Sequence, residues 1–275
     1  MRLATLLGPD LKDALRTDPE GLRGALEEFH PEDIAEVVED LEIEMTLALL
    51  TFLPDDFAAD VLERLPPELQ TDVLERLSLE HATEILIEMD PDDLVDIVQE
   101  VRDGDEKLAD NLLASLEEAD PGIAEDVREL SAYPEDVAGG LMTSAFVGLE
   151  PSTKVWKAIE EVRRVSREGE VETVYYIYII YGTKLVGVIS LRDLILSDTS
   201  QDLGAVMTEN VVSVRATVDQ EIVAQTIAKY DFTALPVIDD QGNMLGLFTV
   251  DDVVDVVIEE ATEDAHKMGA VSALE

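Results

Sequence analysis

Apolar residues recur along the first half of the chain with a period of twelve. Ala25, Val37, Leu49, Val61, Val73, Ile85 and Ile97 each open a unit, and each is followed by Leu26, Val38, Leu50, Leu62, Leu74, Leu86 or Val98. Four positions after each opener come Phe29, Leu41, Leu53, Leu65, Leu77, Met89 and Val101. Within a unit the spacing i, i+1, i+4 marks one face of a helix. A single continuous helix does not explain the series. Twelve residues at about 100° each leave a drift of about 120° per unit, so the stripe would wind around the rod. Pro31, Pro54, Pro66, Pro67 and Pro91 also interrupt it, and proline suits a first helical turn but not an interior. The pattern predicts short helices joined by tight turns and stacked into a solenoid-like superhelix, in which neighbours hide one another's apolar faces.

The period changes near residue 130, and "SAYPEDVAGG" (131–140) marks a boundary. Beyond it, β-branched and apolar runs predict strands at 174–181, 185–190, 211–214, 235–238 and 245–249. Helical patterns separate them at 155–165, 219–230 and 251–260. This half is α/β, and it is duplicated. "GLMTSAFVGLEPSTKV" (140–155) parallels "AVMTENVVSVRATV" (205–218), and "KLVGVISLRDLI" (184–195) parallels "NMLGLFTVDDVV" (243–254). The fold class expected is therefore a multidomain chain: an all-α superhelix, then a tandem pair of similar α/β subdomains.

Charge narrows the chemistry. The 275 residues carry 63 acidic against 19 basic side chains, a formal net charge of −44, with 46% hydrophobic residues. The hydrophobic content makes the chain globular rather than a disordered acidic tail. The charge argues against nucleic acid and anionic membrane surfaces and favours cations as partners. Solvation of a salt-adapted surface is the competing explanation of the same acidity. No cysteine is present, which excludes disulfides, thiolate metal sites and cysteine nucleophiles. The N-terminus turns polar too early for a secretory signal, and no apolar run approaches a membrane span. Acids follow several turns (Asp33, Asp55, Asp56, Glu68, Asp92, Asp93), where free N–H groups and the helix dipole stabilise them by roughly 0.3–1 kcal/mol each. Asp60, Asp72, Glu84 and Asp96 share one register position and are expected to form a ridge of like charge.

Each copy of the second half also holds a glycine, two apolar residues, a hydroxyl and an aspartate three positions later: Gly187–Ser190–Asp193 and Gly246–Thr249–Asp252. The hydroxyl can cap a helix whose open N-terminus can take phosphate, and the aspartate can accept from a ribose diol. Capping without any ligand is the equal alternative. A P-loop, a dinucleotide fingerprint and an HExxH are all missing, so no enzyme is expected. His30, His81 and His266 are far apart and read as structural or solvent-facing.

This duplicated pattern resembles tandem cystathionine-β-synthase (CBS) domains, which as a family bind adenine nucleotides or related ligands. Together "AGGLMT" (138–143), "YYIYII" (175–180), "SLRDLI" (190–195), "YDFTALPVIDD" (230–240), "TVDDVVDV" (249–256) and "EATEDAHKMGA" (260–270) resemble the cytosolic region of the MgtE magnesium transporters. The helical first half is similar to that family's N domain. The resemblance implies an N domain over 1–132, CBS domains over 133–200 and 201–262, and the start of a connecting helix over 263–275. It implies a cytosolic regulatory region of a membrane protein, dimeric through the CBS domains and working on a transmembrane part not contained in this chain. In that family Mg²⁺ bridges carboxylates, the assembly compacts and the pore closes.

The matching acids are Asp60, Asp92 and Asp96 in the N domain, and Glu221, Asp231, Asp252, Asp255, Glu260, Glu263 and Asp264 beyond it. Some members also bind ATP in the CBS pair, and the positions involved here are Tyr176, Ser190, Arg192, Asp193 and Phe232. The turn after Ile180 looks one residue shorter than the family's, with Tyr181 where an acid is expected, which weakens the nucleotide expectation. A CBS regulator without metal, or a helical scaffold, are the alternatives. The end at "AVSALE" (270–275) suggests a chain cut short before a membrane part, and whether Leu274 and Glu275 are native stays open.

Overall fold

A computed structural model describes residues 13, 17, 19–26, 28–169, 171, 174–254, 256 and 257. The chain divides into two compact units, Met1–Arg128 and Glu129–Glu275.

The first unit is helical throughout its described length. The helices are α1 (Pro19–Leu26), α2 (Pro31–Val38), α3 (Ile43–Leu50), α4 (Asp55–Glu63), α5 (Pro67–Arg76), α6 (Leu79–Leu86), α7 (Pro91–Gly104) and α8 (Glu106–Ala119), and α9 (Pro121–Leu130) runs to its end. Prolines open α2, α5 and α7 at their first turns, where the missing N–H is no loss. Acids fill the first turns of α2, α4 and α7: Glu32 and Asp33, Asp55 and Asp56, Asp92 and Asp93.

Each apolar pair of the twelve-residue series is sequestered from Leu49–Leu50 through Val61–Leu62, Val73–Leu74, Ile85–Leu86 and Ile97–Val98. At the N-terminal end the series fails. Ala25 is exposed and Phe29 is 56% exposed.

Packing runs chiefly between each helix and the next but one: α2 on α4, α4 on α6, α6 on α8, and α3 on α5 on α7. The expected single ridge of acids is therefore split. Asp60 and Glu84 lie in one row of helices, Asp72 and Asp96 in the other. Asp72 is paired with Arg76 at 3.6 Å. Gln70 ties the rows together. Its buried side-chain amide donates to the carbonyls of Leu62 (3.1 Å) and Glu63 (3.0 Å) at the end of α4, where the Leu62 carbonyl also accepts from the Leu65 N–H at 3.2 Å.

The second unit repeats one topology. In the first copy β1 (Gly148–Leu149) lies parallel to β2 (Tyr176–Tyr181), and β2 lies antiparallel to β3 (Lys184–Ser190). In the second copy β4 (Val214–Arg215) lies parallel to β5 (Ala234–Ile238), and β5 antiparallel to β6 (Met244–Thr249). The helices are α10 (Val155–Glu168), α11 (Leu191–Leu196), α12 (Leu203–Val206) and α13 (Gln220–Tyr230), and a further helix starts at 250. The strand expected at 211–214 is reduced to Val214–Arg215. The β2–β3 turn is tight, with Gly182 at φ +65° between Tyr181 and its partner Lys184. That is the left-handed region glycine accepts without cost.

The copies interlock through their Met-Thr segments. Thr143 bridges Leu247 of the second copy, and Thr208 bridges Val188 of the first. Two glycines make room for this. A Cβ on Gly187 would overlap the Met207 side chain, and one on Gly246 would overlap the carbonyl of Thr143. Alternation along β2 then sorts its residues. Ile177 and Ile179 enter the first copy's core with Val155, Ala158 and Leu194. Tyr176 and Tyr178 point the other way, into a cluster with Ala234 and Leu247 of the second copy.

Candidate functional site

A cavity of about 220 Å³ opens between the copies of the second unit. Of the five residues expected at a nucleotide, four line it: Tyr176, Ser190, Asp193 and Phe232. Arg192 is exposed and is not among the lining residues. Tyr178, Thr208 and Asn210, not expected at the site from the sequence, complete the polar lining. A signal for Thr208 existed, since it belongs to the repeated Met-Thr segment. Val211 and Val212, ahead of the shortened β4, also line this cavity.

Local chemistry fixes the polar end. Ser190 ends β3 and caps α11, its Oγ accepting from the Asp193 N–H at 3.0 Å and donating to the Asp193 carboxylate at 2.7 Å. Thr249 and Asp252 repeat the pairing in the second copy, with the carboxylate accepting from the Thr249 hydroxyl (2.6 Å) and its N–H (3.1 Å). So the hydroxyl–aspartate motif serves as a cap in both copies, and in the first copy it also faces a cavity. At the apolar end Phe232 stacks on Tyr230 with ring centres 5.3 Å apart and planes 12° apart.

The first unit carries a group of crowded carboxylates. On α4, Asp60 is raised above its ordinary value by loss of hydration, with Arg64 opposing and Asp56 adding to the rise. One turn on, Glu63 is pushed up to about 8 by burial and then by Asp93, against the opposing Arg64, with Asp60 adding further. The Arg64 guanidinium touches both the Glu63 carboxylate and the Asp60 carbonyl. Asp92 and Asp96 sit four residues apart on α7, hence on one face of the helix that also holds Asp93. Glu63 and Asp93 were not expected from the sequence.

The expected acids of the second unit are engaged locally. Glu221 lies in the first turn of α13 and accepts from Gln225 at 3.1 Å. Asp231 ends that helix at φ +52°, and Asp252 is the cap described above. Asp255, Glu260, Glu263, Asp264 and His266 lie outside the described residues.

Among the described residues, one set of three combines histidine and carboxylate donors within 4.8 Å of one another: Asp55, His81 and Glu84. His81 Nδ1 is 3.0 Å from Glu84 and 4.0 Å from Asp55. Carboxylates only accept, so Nδ1 donates. Nε2 is buried without a partner, whereas a ligating histidine passes its second N–H to an acceptor. The set therefore reads as a polar tie between α4 and α6. His30 caps α2 by accepting from the Glu32 N–H.

Residues 29–136 match the model of the MgtE intracellular N domain, and residues 136–198 and 203–259 match the CBS domain. The chain is 44% identical over 267 residues to the magnesium transporter MgtE of Thermus thermophilus, covering 96% of this chain and 58% of that protein. It is 35% identical over 249 residues to that of Bacillus subtilis, covering 90% and 53%. The chain thus spans about half the length of the curated relatives it matches. The crystal structure of the cytosolic domain of the Mg²⁺ channel MgtE in complex with ATP is similar at 41% identity and a TM-score of 0.84, over 92% of this chain and 100% of that one. The soluble part of a magnesium transporter matches at 31% identity and a TM-score of 0.85, over 94% and 98%. Among the described residues no helix is long and apolar enough to cross a membrane. Two interlocked CBS copies behind a proline-punctuated helical unit, with these similarities across both, establish that the chain belongs to the MgtE family and carries its intracellular N domain followed by a CBS pair.

Proposed function

We propose that this chain is the cytosolic, regulatory part of a magnesium transporter, and that it senses Mg²⁺ through carboxylates. Domain limits near residues 132, 200 and 262 go with this reading. Mg²⁺ is a hard cation that takes oxygen ligands, keeps several waters and often uses only one or two carboxylates. The observation that carries the reading is Glu63, pushed up to about 8 by burial and then by the nearby carboxylates of Asp93 and Asp60, against Arg64. Like charges held this close are relieved by a divalent cation. The oxygen-only donor set of Asp60, Asp92 and Asp96, with Glu63 and Asp93 beside it, fits such an ion. Asp252, Asp231 and Glu221, with Asp255, Glu260, Glu263 and Asp264, would supply the opposing acids. Bound Mg²⁺ would favour the compact arrangement and close a pore in the membrane part of the full protein.

ATP is assigned to the CBS cavity, with Asp193 toward the ribose and Arg192 toward phosphates outside the walls. The ATP complex of the similar cytosolic domain supports this choice of ligand. Homodimerisation is assigned to the CBS unit, where Ile195, Leu196, Ile222 and Val254 are large, apolar and more than half exposed.

The test is small-angle scattering across a Mg²⁺ titration, with ionic strength held by a monovalent salt. Compaction that is lost in Asp96→Ala/Asp252→Ala supports the reading. A radius that responds to monovalent salt alone would reduce the acidity to generic solvation and leave a metal-independent CBS regulator.

A further inference from the structure

Tyr178 is 1% exposed, and its hydroxyl is buried with no hydrogen-bond partner. Such a group costs stability, because desolvation of the hydroxyl is not returned. A phenylalanine would supply the same ring. That ring is well placed, meeting Phe146 edge-on at 6.2 Å and 86° and lying 6.5 Å from Tyr176. Nothing in the packing calls for the oxygen. Burial raises the phenol far above its ordinary value, so it stays neutral and keeps its proton. Strand alternation turns Tyr178 the same way as Tyr176, toward the second copy, and Tyr178 lines the cavity.

The cavity itself says which part of a ligand the hydroxyl meets. At about 220 Å³ it is smaller than the roughly 300–1,000 Å³ of sites that enclose a whole drug-sized molecule. Its walls are aromatic and aliphatic with Ser190, Asp193, Thr208 and Asn210 among them, and none of the lining residues is basic. Phosphates would find no countercharge there, whereas a flat base with a sugar finds both apolar faces and hydroxyl partners. We infer that the Tyr178 hydroxyl is the deep hydrogen-bonding group of this cavity and reads the polar edge of a purine base. A hydroxyl both donates and accepts, so it selects for a base with a polar edge and against an apolar ring, and does not by itself choose between purines.

The inference rests on the nucleotide reading above, and its test separates the two. The full chain and its Tyr178→Phe variant are titrated with ATP by calorimetry, and both are melted without ligand. The expected result is a free variant that melts at the same or a higher temperature and binds ATP roughly three- to tenfold more weakly. Equal ATP affinity in both proteins overturns the role of Tyr178 and leaves the nucleotide reading standing. A lower melting temperature of the free variant means the hydroxyl serves the fold, and also overturns it. Failure of the unaltered chain to bind ATP removes the nucleotide reading and this inference with it.

Discussion

Glu63→Gln isolates the electrostatic strain of the carboxylate group. Glutamine keeps the shape of the side chain and removes its charge. In the folded chain Glu63 holds its proton up to about 8, against an ordinary value of 4.5. The folded state therefore binds more protons than the unfolded state between those limits, and stability falls as pH rises through the window. Each pH unit is worth about 1.4 kcal/mol, so the window spans at most about 5 kcal/mol. Arg64 contacts the same carboxylate and solvent reaches part of it, which reduces the expected difference to about 2–3 kcal/mol. Urea unfolding of both proteins at fixed ionic strength, from about pH 4.5 to pH 9, measures it. The two should coincide at the acid end, and the variant should gain steadily and level off above about pH 8. Asp93→Asn in the unaltered background should shift the transition to lower pH, because Asp93 is the largest charge acting to raise it. A stability difference between the unaltered chain and the Glu63→Gln variant that stays flat across the range would refute the reasoning.

Three further substitutions test the packing. Gly246→Ala drives a methyl into the Thr143 carbonyl where the two copies interlock, and should lower stability by at least about 1–3 kcal/mol in denaturant unfolding. Gly24→Ala, in exposed α1 with open space around it, should instead raise stability by about 0.4–1 kcal/mol in the same assay. Gln70→Ala removes the side-chain donor to the carbonyls of Leu62 and Glu63, of which Leu62 keeps the Leu65 N–H, and should cost about 1–3 kcal/mol.

The superhelix was legible because burial follows a repeat, and a repeat averages over local exceptions. Val61–Leu62 and Val73–Leu74 behave as the period requires. Phe29 departs from it, at 56% exposed, because a period fixes the face a residue occupies and not what covers that face. The ridge of acids was misplaced for a related reason. Register fixes which face of each helix a residue occupies, but not that α4 packs on α6 and α5 on α7. Ser190 and Asp193 stood out through the duplicated motif, and Tyr176 and Phe232 through the family resemblance alone; all four line one cavity. Tyr178 was not, because an unpartnered hydroxyl is a property of the surroundings, and alternation alone reads that position as a buried strand residue. Glu63 was hidden for the same reason, since the Asp93 that strains it belongs to another helix, far along the chain.

Asp93 also shows how one carboxylate serves two levels of structure with opposite signs. It lies in the first turn of α7, where the helix dipole favours it by up to about 1 kcal/mol. Across the helix pair it adds to the rise that burial imposes on Glu63 and so disfavours ionisation of Glu63. The local gain keeps the acid in place, and the tertiary repulsion leaves the group ready to take up positive charge. A proton and a divalent cation then compete for one place. If Mg²⁺ is bound there, its affinity must fall as pH drops below about 8, by up to about tenfold per pH unit where one proton must leave. Mg²⁺ binding measured at about pH 8.5 and about pH 6.5, on either side of that value, should differ severalfold in the unaltered chain. Glu63→Gln should remove most of that difference while Asp60, Asp92 and Asp96 remain. Equal affinity of the unaltered chain at both pH values would separate Glu63 from the magnesium site.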